Sequence, residues 1–177
     1  PGSRGLARDP HDNLFTATKG DFQAACRSIA RHPKPRFALL TGFYIPSATP
    51  PAFETDGPLG ACFVKRAFEP LQIECIPVAE EPVYAAICAG LDLAPNYQEV
   101  TNLRGRFTFV LSIERAGPAA DGKHYTMRGR DISAHLSCTQ VLDAFRSESD
   151  VVSIGIGDGG NETGMGKVPH ETVVKNI

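Results

Sequence analysis

Seven carboxylates fall in three polar stretches, and each stretch follows an apolar run. After Leu40 comes TGFYIPSATPPAFETDGPLG, with Glu54 and Asp56; after Ile113 comes ERAGPAADGKHYTMRGRD, with Glu114, Asp121 and Asp131; after Ile156 comes GDGGNETGMGK, with Asp158 and Glu162. If the three runs are parallel strands, their loops share the carboxyl edge of one sheet, where open α/β folds bind ligands. Carboxylates crowded together repel, and their pKa values rise unless a cation neutralises them. Hard oxygen donors suit Mg²⁺, Mn²⁺ or Ca²⁺. The expectation is therefore a divalent metal held by Asp56, Asp158 and Glu162. Each of these lies among glycines, prolines or small residues, which shape a loop rather than a helix or strand. Taken singly, each acid reads equally well as a solvated loop residue; the inference rests on their convergence.

The last loop needs a separate reading. Gly155-x-Gly157-x-x-Gly160 follows an apolar run and matches the dinucleotide fingerprint. Asp158, however, stands where a pyrophosphate would have to approach. The loop is better read as presenting the backbone of Gly157, Gly159 and Gly160 and the side chain of Asn161 to a small polar ligand or a metal. Cations occur in the same loops: Arg115, Lys123, Arg128, Arg130 and Lys167. A guanidinium can clamp a carboxylate through two hydrogen bonds, so Arg128 or Arg130 could hold an acidic substrate, the alternative being ion pairs with neighbouring acids. His124 reads either as a general base or as a plain loop histidine. The other histidines show no metal-ligand spacing, and there is no G-x-S-x-G.

These loops need a scaffold. Phe37–Leu40, Gln72–Val78, Phe107–Ile113 and Val151–Ile156 read as strands, buried on both faces where the apolar run is continuous. Lys19–Arg31, Leu59–Phe68, Pro82–Leu93 and Val141–Phe145 read as helices. Thr18 is the expected N-cap of the first, and Pro58 the residue just before the second. Alternation of strand and helix implies a three-layer α/β sandwich with a mostly parallel sheet and the site loops at its C-terminal edge. The 177 residues suit a single domain, 1–177, with a flexible segment at 1–11. A net charge of −2 recruits neither nucleic acid nor anionic membrane, and no apolar run is long enough to cross a bilayer. Five cysteines, an odd number without a C-x-x-C, point to a reducing compartment rather than a disulfide framework.

Four segments together resemble a known family: TGFYIP (Thr41–Pro46), ETDGPLGA (Glu54–Ala61), IERAGPAADGKHYTMRGRDIS (Ile113–Ser133) and GIGDGGNETGMGK (Gly155–Lys167). They are similar to the C-terminal domain of the D-glutamate cyclase family. The resemblance implies a lyase that closes D-glutamate to 5-oxo-D-proline and water, in an acidic cavity that takes divalent metal. Its motif acids fall on Glu54, Asp56, Glu114, Asp131, Asp158 and Glu162, with Asn161 beside them. It also implies a domain that continues past Ile177, so the chain is expected to be trimmed or to lack loops. Location would be the mitochondrial matrix in a eukaryote and the cytoplasm in a bacterium.

On that reading the catalytic residues are Glu114, Asp131 and Asp158. Glu114 or Asp131, with a raised pKa, takes the substrate ammonium proton and returns it to the departing oxygen. Arg128 holds the α-carboxylate, with Asn161 and the glycines Gly157, Gly159 and Gly160 also lining the substrate. The expected partner is a small acidic metabolite, with no nucleic acid and no membrane; a homo-oligomer stays open. Two other classes want the same acidic, glycine-rich pocket: a metal-dependent hydrolase or phosphatase of a small anionic metabolite, and a non-catalytic domain that binds metal or an amino acid.

Overall fold

The computed structural model describes residues 6–95, 106–138 and 150–177. Four strands, β1 (Arg36–Thr41), β4 (Glu74–Val78), β5 (Phe109–Ile113) and β6 (Val152–Ile156), form one parallel sheet in the order β4-β1-β5-β6. A small antiparallel hairpin, β2 (Tyr44–Ile45) and β3 (Ala52–Phe53), rises from the loop after β1. Helices α2 (Asp21–Arg31), α3 (Asp56–Phe68) and α4 (Glu81–Gly90) flank the sheet, completing an α/β sandwich in three layers.

The central strands explain their own composition. Phe37, Ala38, Leu39, Leu40 and Phe109 are fully buried, because both faces of β1 and β5 are covered. Phe37 stacks on Phe109 across the β1–β5 pair at 4.8 Å and meets Phe68 of α3 at 4.7 Å. Cys62, Cys75, Cys88 and Cys138 are buried thiols, and Cys26 is an exposed one.

Some boundaries differ from the sequence expectation, for local reasons. Helix α3 begins at Asp56, not after Pro58, because a proline is tolerated in a first turn whose N–H groups have no partner within the helix. Helix α2 is entered through Gly20 at φ 87°, a left-handed backbone, while the Thr18 hydroxyl donates back to Leu14 and closes α1 (Leu14–Ala17). The strand at Val151–Ile156, expected to be buried, pairs on one side only among the described residues, and Val152 and Ile156 are exposed. A last helix, α5 (His170–Asn176), was not expected from the sequence. It binds the N-terminal stretch, with the Asp9 amide donating to Asn176 at 2.8 Å and the Thr172 hydroxyl donating to Asp12 at 2.8 Å. The helix expected at Val141–Phe145 lies outside the described residues.

Candidate functional site

The site forms where β1, β5 and β6 end. Thr41 stands opposite Ile113, and Ile113 opposite Ile156, so the residues that follow emerge side by side. The Glu114 amide donates to the Ile156 carbonyl at 3.0 Å, which carries the sheet ladder one residue further. Glu114 itself has φ 44°, a left-handed conformation that is uncommon outside glycine. Held strain of this kind clusters at functional sites. Beyond it, the Arg115 carbonyl accepts from Thr163 at 2.8 Å and the Gly117 amide donates to Asn161 at 2.9 Å. The loops after β5 and β6 are thereby fastened together.

Two glycines allow the close approach. A Cβ on Gly57, in the first turn of α3, would lie 2.3 Å from the Thr41 hydroxyl and 3.3 Å from Glu114 Cβ. Without it, the α3 N-terminus sits directly on the end of β5. A Cβ on Gly157 would lie 2.7 Å from Glu162 Cβ, so Glu162 folds back over the glycine loop. There its Oε1 accepts from the Gly159 amide at 2.6 Å and from the Asp158 amide at 3.2 Å.

Five carboxylates meet as a result. Glu54, Asp56 and Glu114 bring ligand oxygens within 4.8 Å of one another, and Glu114, Asp158 and Glu162 do the same. Glu114 belongs to both sets. Burial, then the charges of Glu162, Asp158, Asp56 and Glu54, push its pKa up to about 7. Glu162 Oε2 is buried and has no hydrogen-bond partner among the described residues. A buried, unpaired carboxylate oxygen is costly, and a hard cation would satisfy it. The donor set thus fits a divalent metal, with Glu162 and Asp158 as its most enclosed holders; Asp56, expected with them, stands instead in the set with Glu54, and Glu114 joins the two.

Arg115, next in sequence to Glu114, does not neutralise this cluster. Its guanidinium is fully buried and forks onto Glu80, with contacts of 2.5 and 2.8 Å, and also donates to the carbonyls of Thr41 at 3.3 Å and Gly42 at 3.4 Å. Glu80 in turn accepts from the Cys138 amide at 3.2 Å. Arg115 therefore braces the ends of β1 and β5 against the start of α4. Sequence reasoning grouped it with the loop cations and missed Glu80; a cation two residues past the end of a buried strand was the available signal.

The remaining expected residues divide. Asn161 is near the centre, its amide donating to the Tyr125 carbonyl at 2.7 Å. A Cβ on Gly159 would meet Glu162 Oε1 at 2.7 Å, and Gly160 takes φ 90° against Ile177. Asp131 is not brought into the cluster. It is exposed, pairs with Lys123 at 3.1 Å, and accepts from Ser133, which with Lys123 pulls its pKa down to about 2. That is opposite to the raised pKa a proton acceptor here needs. Arg128 is exposed in the turn Thr126–Arg130, outside the acid sets. Asp121 binds the Tyr125 hydroxyl at 2.6 Å, and Lys167 pairs with Asp21 at 2.5 Å. His124 is buried with Nδ1 on the Ala116 carbonyl at 3.0 Å, a structural placement. Glu54, counted among the acids but not as a metal holder, proves to be a member of one set.

Human mitochondrial D-glutamate cyclase (Homo sapiens) is 46% identical over 74 residues, 41% of this chain and 12% of that protein. The matched stretch is thus a small part of the relative's length. The family described as "D-glutamate cyclase-like, C-terminal" matches residues 6–177. With nearly its whole length matched and the acid-bearing strand ends in place, the chain belongs to the D-glutamate cyclase-like C-terminal family.

Proposed function

We propose that the acid cluster is the reaction site of a lyase that converts D-glutamate to 5-oxo-D-proline and water with a divalent cation bound. The observation that carries this reading is Glu114, a half-buried carboxylate that stands in both acid sets. In the reaction the α-nitrogen bonds to the γ-carboxyl carbon and a C–O bond there breaks. Two protons must pass from the ammonium to the departing oxygen, which leaves as water. The nitrogen and that oxygen share one carbon in the adduct, so a single carboxyl group can accept from one and donate to the other. Glu114 is the group placed for this task, because it alone belongs to both acid sets.

Asp158 and Glu162, with Asp56 at the other side of Glu114, are the residues to hold Mg²⁺, Mn²⁺ or Ca²⁺. Such an ion, when bound, draws charge from the γ-carboxylate oxygens and offsets the repulsion between an anionic substrate and an acidic pocket. Of the chain's own groups, Asn161 lines the substrate: its Oδ1 is buried and has no hydrogen-bond partner among the described residues. By analogy with the human relative, which is named as mitochondrial, the protein works in the mitochondrion where its source is eukaryotic.

The test is incubation of the full-length protein with D- and L-glutamate, with and without Mn²⁺ or Mg²⁺, reading 5-oxoproline by chiral chromatography. Formation of the D product, dependent on cation and lost in Glu114→Gln, is expected. No product from D-glutamate with cation present, or a full rate in Glu114→Gln, overturns the reading. Phosphate release from ester substrates in its place would move the site to the hydrolases.

A further inference from the structure

The loop after β6 carries Asp158 and Glu162 on a backbone rich in glycine, which by itself specifies no single conformation. Most of its fastenings are polar. The Gly159 amide donates to Glu162 at 2.6 Å, the Asn161 side chain donates to the Tyr125 carbonyl at 2.7 Å, and the Asn161 carbonyl accepts from Gly117 at 2.9 Å. Gly160 is held differently. It takes φ 90°, and a Cβ there would collide with Ile177 Cδ1 and lie 3.5 Å from Val173 Cγ1. Val173 of α5, and Ile177 at its C-terminal cap, thus fill the place that a side chain on Gly160 would take.

Helix α5 does not hold that position unaided. Its seven residues are too few for a helix that stands alone in water. Asn176, fully buried, anchors it: Oδ1 accepts from the Asp9 amide at 2.8 Å, and Nδ2 donates to the Asp12 carbonyl at 2.8 Å. The Thr172 hydroxyl donates to the Asp12 carboxylate, and Lys175 pairs with both Asp9 and Asp12. A continuous set of contacts therefore runs from the N-terminal stretch through α5 to Gly160, and from the adjoining Gly159 amide to Glu162. Neither Val173 nor Ile177 offers a ligand to the acid sets, so any effect they have on a bound ion passes through the loop.

We propose that Ile177 and Val173 are positioning residues for the cation: packed against Gly160, they hold the glycine loop in the shape that keeps Asp158 and Glu162 together. The inference rests on the cation reading of the acid cluster. With Ile177 truncated, the backbone at Gly160 gains freedom, and the loop samples shapes in which the Gly159 amide no longer meets Glu162. Only the fraction in the gathered shape takes the ion, so the apparent affinity falls by that fraction. The coupling is reciprocal, and a bound cation tightens the docking of α5.

The experiment is calorimetric titration of Mn²⁺ into the full-length protein and three variants, at a temperature where circular dichroism shows all four folded. Ile177→Ala should bind Mn²⁺ about tenfold more weakly than the wild type. Ile177→Leu, which keeps the side-chain volume, should recover most of that loss. Val174→Ala, on the same helix but 63% exposed, should bind as the wild type does. Hydrogen exchange across α5, read by mass spectrometry, should slow when Mn²⁺ is added to the wild type and change less in Ile177→Ala. A purely structural role would lower the Tm of Ile177→Ala and leave its Kd for Mn²⁺ unchanged. That result, or an equal loss of affinity in Val174→Ala, overturns this inference alone. A wild type that binds no Mn²⁺ overturns the cation reading of the cluster, and the inference with it.

Discussion

Glu114 gives the cluster a measurable pH signature. Its carboxyl titrates near 7 in the folded chain and near 4.5 when unfolded. Between those values the folded chain holds a proton that the unfolded chain has released. Stability of the cation-free protein therefore falls as pH rises through this window, and the full penalty is present above about pH 7. Taken at face value the shift corresponds to about 3 kcal/mol. Glu114 is only partly enclosed, and solvent screening reduces this to about 1–2 kcal/mol. In Glu114→Gln the charge cannot form, so the variant should match the wild type near pH 5 and exceed it near pH 8. At this chain length that is a Tm gain of about 2–8 °C. The assay is thermal unfolding of both proteins in EDTA from pH 4.5 to 8.5. Histidines titrate in the same range, and the difference between the two curves removes their contribution. A saturating divalent cation should erase the wild-type penalty. If the two curves run parallel across the whole range, Glu114 carries no raised pKa and the reasoning about the cluster fails.

Asp158→Asn should abolish divalent-cation binding by calorimetry while leaving the far-ultraviolet circular dichroism unchanged, since the side chain lies in a loop and not in the core. Gly157→Ala, which alters no acid, should lower cation affinity about tenfold, because a Cβ 2.7 Å from Glu162 Cβ must displace that carboxylate. Arg115→Met leaves Glu80 buried and unpaired and should lower stability by about 3–5 kcal/mol in denaturant unfolding, with much of the loss recovered in the double variant that also carries Glu80→Gln. Asp131→Asn should leave turnover close to wild type in the chromatographic assay, because Asp131 faces Lys123 and Ser133 rather than the acid sets.

The sequence by itself determined the scaffold and most of the site's membership. The apolar run Phe37–Leu40, and Phe109–Ile113 with Ser112 as its one polar residue, fit strands covered on both faces, and strands of that kind are typically parallel and end in loops on one edge. That logic is local in the chain, so it was legible, and it predicted that Asp56, Glu114, Asp158 and Glu162 gather at one rim. What the residues alone did not carry was how side chains divide the work once they meet. Asp131 and Glu114 are both acids of the polar stretch after β5, yet one is held low by Ser133 and Lys123 and the other is raised by burial among four like charges. The partner of Arg115 lies 35 positions away at Glu80, and a cavity beside Glu54 is walled by the hairpin, by α3 and, further along the chain, by α4. Only the tertiary structure decided these points. Charge state, pairing and enclosure depend on distances of a few ångströms between residues that the sequence keeps far apart, and no periodicity encodes those distances.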